Sequence, residues 1–266
     1  MAMRFTILGS SSSGNCALLV SEGCKILIDA GFSARRLGEL VESAGVSLEQ
    51  IDAVFLTHEH GDHSAGLQGM CRRAGLKIFA NRGTAAVVQA TLKHRPDWQV
   101  FETGARFRFR DLEIESFAVP HDATDPVGFI FSQGEGDLFS PRRSIAWVTD
   151  LGYAPELVRQ RIRDVDVLVL EANYDPHLLR HDTKRPWSVK QRISGRHGHL
   201  SNDAARELMI SVERPAWRHV CLAHLSRDCN SLDAVRTAFA DFFRPGLAFA
   251  LSIVPPDAGG PVFELA

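Results

Sequence analysis

The segment Thr57-His58-Glu59-His60-Gly61-Asp62-His63 packs three imidazoles and a ligating carboxylate into six residues, directly after the apolar run Ala53-Val54-Phe55-Leu56. A buried apolar run does not normally end in four coordinating side chains unless something binds them, because each would lose its hydration without a partner. Imidazole and carboxylate suit borderline divalent ions such as Zn²⁺ or Mn²⁺. A turn at the end of a buried strand can aim His58 and His60 at one ion and Asp62 and His63 at a second.

The rest of the chain is compatible with such a site. Its 266 residues are 45% hydrophobic, enough for one large α/β domain over residues 1–266. The formal charge of −2 means that any contact with nucleic acid must come from a local basic patch. No apolar run reaches membrane-span length, and Met1-Ala2-Met3-Arg4 leads straight into a strand-like stretch with no signal-peptide core. A soluble, cytoplasmic protein with no membrane partner is expected. The five cysteines, Cys16, Cys24, Cys71, Cys221 and Cys229, contain no CxxC pair and read as small buried residues.

Hydrophobic periodicity predicts strands over residues 4–8, 17–20, 25–28, 53–56, 77–80, 112–117, 128–131, 144–148, 167–170, 219–223 and 249–254. Helices are expected at 34–44, 65–74, 84–92, 154–162, 203–212 and 232–243, with Ser201 and Ser231 as plausible caps for the last two. Strands arrive in pairs early and singly between helices later, which suggests sheets packed face to face with helices outside. Residues 132–143 and 174–199 read as two long irregular insertions, and long loops in a compact domain tend to be functional.

Three further ligand types sit just past apolar runs: His121 after Ala118-Val119-Pro120, Asp150 after Ile145-Ala146-Trp147-Val148-Thr149, and His224 after Val220-Cys221-Leu222-Ala223. A sheet delivers such residues to one rim. The assignment is then His58, His60 and His121 on one ion, Asp62, His63 and His224 on the other, and Asp150 between them.

Asp29 in Ile28-Asp29-Ala30-Gly31, the His58-x-His60-x-Asp62-His63 motif, His121, Thr149-Asp150 and Ala223-His224-Leu225-Ser226 together resemble the successive motifs of the metallo-β-lactamase-fold hydrolases. The resemblance covers nearly the whole chain. It implies an α/β fold, a four-layer αββα sandwich with the metals at one edge, and a supporting role for Asp29 outside the ligand set. Gly9-Ser10-Ser11-Ser12-Ser13-Gly14-Asn15-Cys16, Pro186-Trp187-Ser188-Val189-Lys190-Gln191-Arg192 and Gly198-His199-Leu200-Ser201-Asn202 are similar to the YycJ/WalJ group of that superfamily. That likeness implies metal-dependent 5′-exonuclease action on DNA, with RNA processors as cousins. It also places Glu171 and His199 as a proton-relay pair. The chain departs from the group in lacking a tyrosine before Pro186-Trp187 and in a longer 132–143 segment.

The chemistry follows from the residues. Two divalent ions would acidify a bridging water to a hydroxide and neutralise phosphodiester oxygens, with Asp62 among the groups at the reacting centre. A histidine oriented by a carboxylate could protonate the leaving alkoxide, which makes His199 the candidate general acid and Glu171 its partner. The alternative for His199 is a cap on the helix beginning near Ser201. Asn15 and the Ser10–Ser13 turn could donate to a phosphate or to the site loop. Six cations lie between Arg180 and Arg196 against Asp182 alone. With Trp187 among them, Lys190, Arg192, Trp187 and Ser201 are the candidate contacts to a nucleic-acid substrate, expected to be DNA. A metal-dependent nuclease leads, a small-molecule hydrolase for cyclic phosphodiesters, lactones or thioesters is the alternative, and a non-catalytic binder is third.

Overall fold

The computed structural model describes residues 3–137, 140–256 and 258–266. In chain order the first half runs β1 (Met3–Ser11), β2 (Gly14–Val20), β3 (Lys25–Ile28), α1 (Ala34–Ser43), β4 (Ala53–Phe55), α2 (Gly61–Ser64), α3 (Leu67–Met70), β5 (Lys77–Asn81), α4 (Arg82–Thr91) and β6 (Asp97–Phe101). The second half begins β7 (Arg106–Phe109), β8 (Leu112–Ala118), β9 (Val127–Gln133), β10 (Arg143–Val148), α5 (Glu156–Arg163) and β11 (Val167–Glu171). It ends α6 (Pro176–His181), α7 (Trp187–Ile193), α8 (Asn202–Ser211), β12 (His219–Ala223), α9 (Leu232–Ala238), β13 (Ala250–Ile253) and β14 (Val262–Leu265). Two seven-stranded sheets result, ordered β14-β1-β2-β3-β4-β5-β6 and β13-β12-β11-β10-β9-β8-β7.

The pleat sorts these strands into layers. Alternate side chains point to opposite faces of a sheet, so a strand covered on both sides must be apolar throughout. Phe55, Trp147, Val169 and Cys221 enter the core between the sheets. Their neighbours Val148, Leu168, Leu170 and Leu222 face outward against α5, α8 and α9. Val54 and Ile78 face outward against α1, α3 and α4 on the other side. The architecture is therefore the expected αββα sandwich. Phe55 anchors β4 in the inner core, stacked at 4.4 Å on Phe79 and edge-on at 5.3 Å to Phe131. That anchored strand leads directly into the histidine-rich turn.

All eleven expected strands form, with small shifts at their ends. The expectation missed β6, β7 and β14, whose charged or exposed residues break the apolar pattern. Of the helix expected at 65–74 only the short turn α3 forms, and the one expected at 232–243 ends at Ala238 before a 3₁₀ turn over Ala240–Phe243. Residues 174–199 are not irregular, since they hold α6 and α7. Of the 132–143 segment, residues 138 and 139 lie outside the described residues. The five cysteines are free and buried. Among the described residues no helix is long and apolar enough to cross a membrane.

Three strands end in residues with left-handed backbones: Asp29 after β3 (φ 59°), Asp150 after β10 (φ 62°) and His224 after β12 (φ 56°). Asp and His tolerate this region better than most residues, but it still costs roughly 1–3 kcal/mol each and persists only where surroundings enforce it. Each turns the chain across the rim just beyond its strand. Gly31 fixes how closely these turns approach, because a Cβ there would lie 1.6 Å from the Asp62 carbonyl oxygen and 2.6 Å from the Asn15 nitrogen. Gly31→Ala must push the Asp62 turn outward, with the cost of overpacking at about 1–3 kcal/mol. The variant is expected to melt several degrees lower and to bind divalent metal more weakly, read by calorimetry and metal titration on one preparation. Unchanged melting and metal affinity would refute the close approach.

Candidate metal centre

The strand-end residues converge on one rim. Ligand-type atoms of His58, His60 and His121 lie within 4.8 Å of one another, as do those of Asp62, His63 and His224, and Asp150 groups with His58 and His63. These are the two sets expected from the sequence, with Asp150 between them. His58, His63, His121, Asp150 and His224 are buried, while His60 and Asp62 reach partial exposure at the mouth.

Each buried ring is held through its Nδ1. His63 Nδ1 meets Asp29 Oδ2 at 2.8 Å, His121 Nδ1 meets the Gly198 carbonyl at 2.9 Å, and His224 Nδ1 meets Glu171 Oε1 at 2.7 Å. The Thr57 hydroxyl lies 3.0 Å from His58 Nδ1 and donates to Asp29. The backbone N–H of Thr57 also donates to Asp29 Oδ1 at 2.8 Å. Asp29 thus supports the loop from behind. Meanwhile the Nε2 atoms of His58, His121 and His224 are buried without a hydrogen-bond partner. Asp150 Oδ2 makes no hydrogen bond either, though it lies 3.2 Å from His63 Nε2. Imidazoles fixed at one nitrogen, with the other left for a cation, are the usual surroundings of a metal ion.

Electrostatics agree. Burial drives the His58 and His121 imidazoles toward the neutral form that a metal requires. Burial opposes charge on His224 too, but Asp150 and Glu171 outweigh it and push its pKa up to about 10. Glu171, despite burial, is drawn down to about 2 by His199 and His224. Among the described residues no lysine or arginine pairs with Asp29, Asp62, Asp150 or Glu171. The positive charge these carboxylates attract must therefore be a proton on histidine or a metal ion, and the donor set fits the ion.

The cluster opens into a cleft of about 240 Å³. Ser12 lies on one side and Val189, Arg192 and Ile193 of α7 on another, with His199 and Asp122 near the metal-type residues. His199 Nδ1 is 2.7 Å from Glu171 Oε1, the same oxygen that holds His224. Glu171 Oε2 accepts from the backbone N–H groups of Leu151 and Leu200. His199 is not the helix cap, because the Ser201 hydroxyl caps α8 by accepting from Ala204 N–H.

Ser201, expected as a substrate contact, lies at the start of α8 and is not among the residues that line the cleft. The basic segment is divided between the cleft and other surroundings. Lys190 donates its Nζ hydrogens to the carbonyls of Arg180 and Asp182, and Trp187 faces a different recess from the cleft. Arg185 pairs with Asp182 and Asp228, Lys184 with Asp228, and Arg192 with Asp122. Much of the apparent patch is thus neutralised by acids distant in sequence. Only Arg192 of the expected contacts lines the cleft. Asn15 takes the site-loop option, with Nδ2 3.1 Å from His63 Nε2 and 3.3 Å from Asp62 Oδ2. The Ser10 hydroxyl donates to Asn15 Oδ1 and accepts from His224 N–H, each at 3.0 Å.

Several contributors had no clear signal in the sequence. Asn173 donates to the His224 carbonyl at 2.8 Å, and its place two residues after Glu171 was the one available hint. Thr57 was visible only as the residue before the motif. Asp122, beside His121, was legible as part of an irregular run but not as the partner of Arg192.

The chain is similar to known proteins. The Beta-lactamase superfamily domain matches residues 25–224. The chain is 32% identical over 263 residues to exodeoxyribonuclease YycJ of Bacillus anthracis, covering 96% of this chain and 97% of that protein. It is 30% identical over 279 residues to exodeoxyribonuclease WalJ of Streptococcus pneumoniae, covering 100% of this chain and 99% of the relative. In structure it is similar to the metallo-β-lactamase fold protein YhfI of Bacillus subtilis, at TM-score 0.72 and 18% identity over 99% of this chain and 100% of that one. This chain belongs to the β-lactamase superfamily of metal-dependent hydrolases, in the group that includes YycJ and WalJ.

Proposed function

We propose that residues 1–266 form one cytoplasmic hydrolase domain that removes nucleotides from DNA in the 5′→3′ direction. The reading rests most on one observation: His199 faces the cleft with its Nδ1 held by a fully buried glutamate. The exodeoxyribonuclease names of the full-length relatives support the substrate class. His58, His60 and His121 would hold one Zn²⁺ or Mn²⁺ ion, Asp62, His63 and His224 the other, and Asp150 would bridge them. When bound, such ions supply Lewis acidity, which activates water and neutralises phosphate oxygens.

The chain's own groups do the rest. The leaving 3′ oxygen of a phosphodiester needs a proton as its bond to phosphorus breaks. Burial disfavours charge on His199, but the Glu171 carboxylate outweighs it and raises the histidine's pKa. That shift favours the protonated ring that a general acid requires. Because Nδ1 is engaged, Nε2 is the nitrogen left to deliver that proton. Asp62, at the mouth, would orient incoming water. Arg192 sits at the cleft wall paired with Asp122, where a substrate phosphate can compete for its guanidinium.

Polarity is read by comparing 5′-labelled and 3′-labelled single strands with Mn²⁺ or EDTA present. Labelled mononucleotide is expected at the earliest times from the 5′-labelled strand, and no cleavage is expected in EDTA. Early mononucleotide release from the 3′-labelled strand alone would contradict the direction, and cleavage in EDTA would contradict the chemistry.

His199→Ala is expected to keep its metal and lose roughly 10²–10⁴-fold in single-turnover rate, the usual worth of a positioned acid. The basic-side fall of the pH–rate profile, where wild-type His199 loses its proton, should vanish in the variant. A loss of stability with turnover retained would assign His199 a structural role instead.

A further inference from the structure

Helix α7 is used on two faces. Val189, Arg192 and Ile193 line the catalytic cleft, whereas Trp187, Lys190 and Ser194, spaced three and four residues apart, line a separate recess of about 190 Å³. Tyr174 and Leu179 belong to its apolar lining, and both pack in a small cluster with Cys229. Trp187 stands in the wall at 65% exposure. An indole is costly to leave in water, and of the chain's four tryptophans Trp147 and Trp217 are buried and Trp98 is half-buried.

The charges around the recess have one sign. Arg180, at the end of α6, lines it, and the Lys190 ammonium closes its edge while tied to the Arg180 and Asp182 carbonyls. No carboxylate lines it. The nearby acids are already engaged: Asp175 caps α6 by accepting from Leu178 N–H, and Asp182 pairs with Arg185. An exposed aromatic face, an apolar floor and uncompensated cations are the elements of a single-strand binding platform, on which a base stacks and its phosphate meets a cation.

We infer that this recess is a second nucleic-acid site, in which a base of single-stranded DNA stacks on Trp187 with its phosphate toward Arg180. The inference rests on the nuclease reading above and adds a contact away from the scissile bond. The recess and the cleft both border α7, with Ile193 lining the cleft and packing against the cluster of Tyr174 and Leu179 beneath the recess; a helix is about 10 Å across, a span that a few nucleotides of extended strand cover. A strand laid over α7 would occupy both, which favours substrates with several unpaired nucleotides. Lys190 then holds α7 and the α6–α7 connection together rather than gripping phosphate.

The test uses metal-loaded protein and a hydrolysis-resistant phosphorothioate oligothymidylate of about a dozen nucleotides, within the usual site size of such platforms. Tryptophan fluorescence and anisotropy of the labelled strand are followed in wild type, Trp187→Ala and Trp187→Phe. The strand is expected to quench wild-type fluorescence. Trp187→Ala should bind about tenfold more weakly, and Trp187→Phe, which keeps a stacking ring, should recover most of the loss. Because Trp187 is exposed, these variants do not disturb the core. Equal affinity in wild type and Trp187→Ala, with ordinary DNA still cut by wild type, would overturn the recess and leave the nuclease standing. Wild type that neither binds nor cuts any strand would overturn the nuclease reading and the recess together.

Discussion

The rim of this sandwich holds more buried negative charge than the chain's own lysines and arginines answer. Asp29, Asp150 and Glu171 are at most 2% exposed, and the cations facing them are histidines. Buried carboxylates of this kind are costly unless paired, so the imidazoles and the strand ends that carry them are held where the charges can meet. That attraction gives the left-handed turns at Asp29, Asp150 and His224 a physical reason. A metal ion satisfies the same requirement with greater charge density than protons do, and it uses the Nε2 atoms that hydrogen bonds leave free.

Glu171 ties this centre to the chemistry of the cleft. One oxygen holds both His224 and His199, and the other is fixed by two backbone N–H groups. A ring of the metal-type cluster and the proposed acid therefore share one rigid carboxylate. The parallel pairing of β11 with β12 sets the register that brings these partners together, with Glu171 opposite Ala223 and His224 next in line.

Much of this was legible in the sequence because it depends on local pattern. An apolar run followed by a ligand is readable wherever it occurs, and His58, His121, Asp150 and His224 all obey that rule. The edge strands were not readable. Asp97-Trp98-Gln99-Val100-Phe101 and Arg106-Phe107-Arg108-Phe109 carry the polar residues that protect a sheet edge, and these mask the strand signal. Helices α6 and α7 bury almost nothing of their own and so lack the periodic apolar stripe of a packed helix. The pairing of the basic segment was hidden for a different reason. Its counter-charges, Asp122 and Asp228, are brought in by tertiary structure, and no spacing within residues 180–196 could reveal them. Ser201, by contrast, was correctly readable as a helix cap.

The central claim is that the paired His/Asp sets on the rim hold two metal ions. Anomalous diffraction from crystals grown with Mn²⁺ tests it most directly. The account predicts two adjacent peaks, one among His58, His60 and His121 and one among Asp62, His63 and His224, with the Asp150 carboxylate between them. A single peak, or peaks away from these residues in a protein that cleaves DNA, would contradict it.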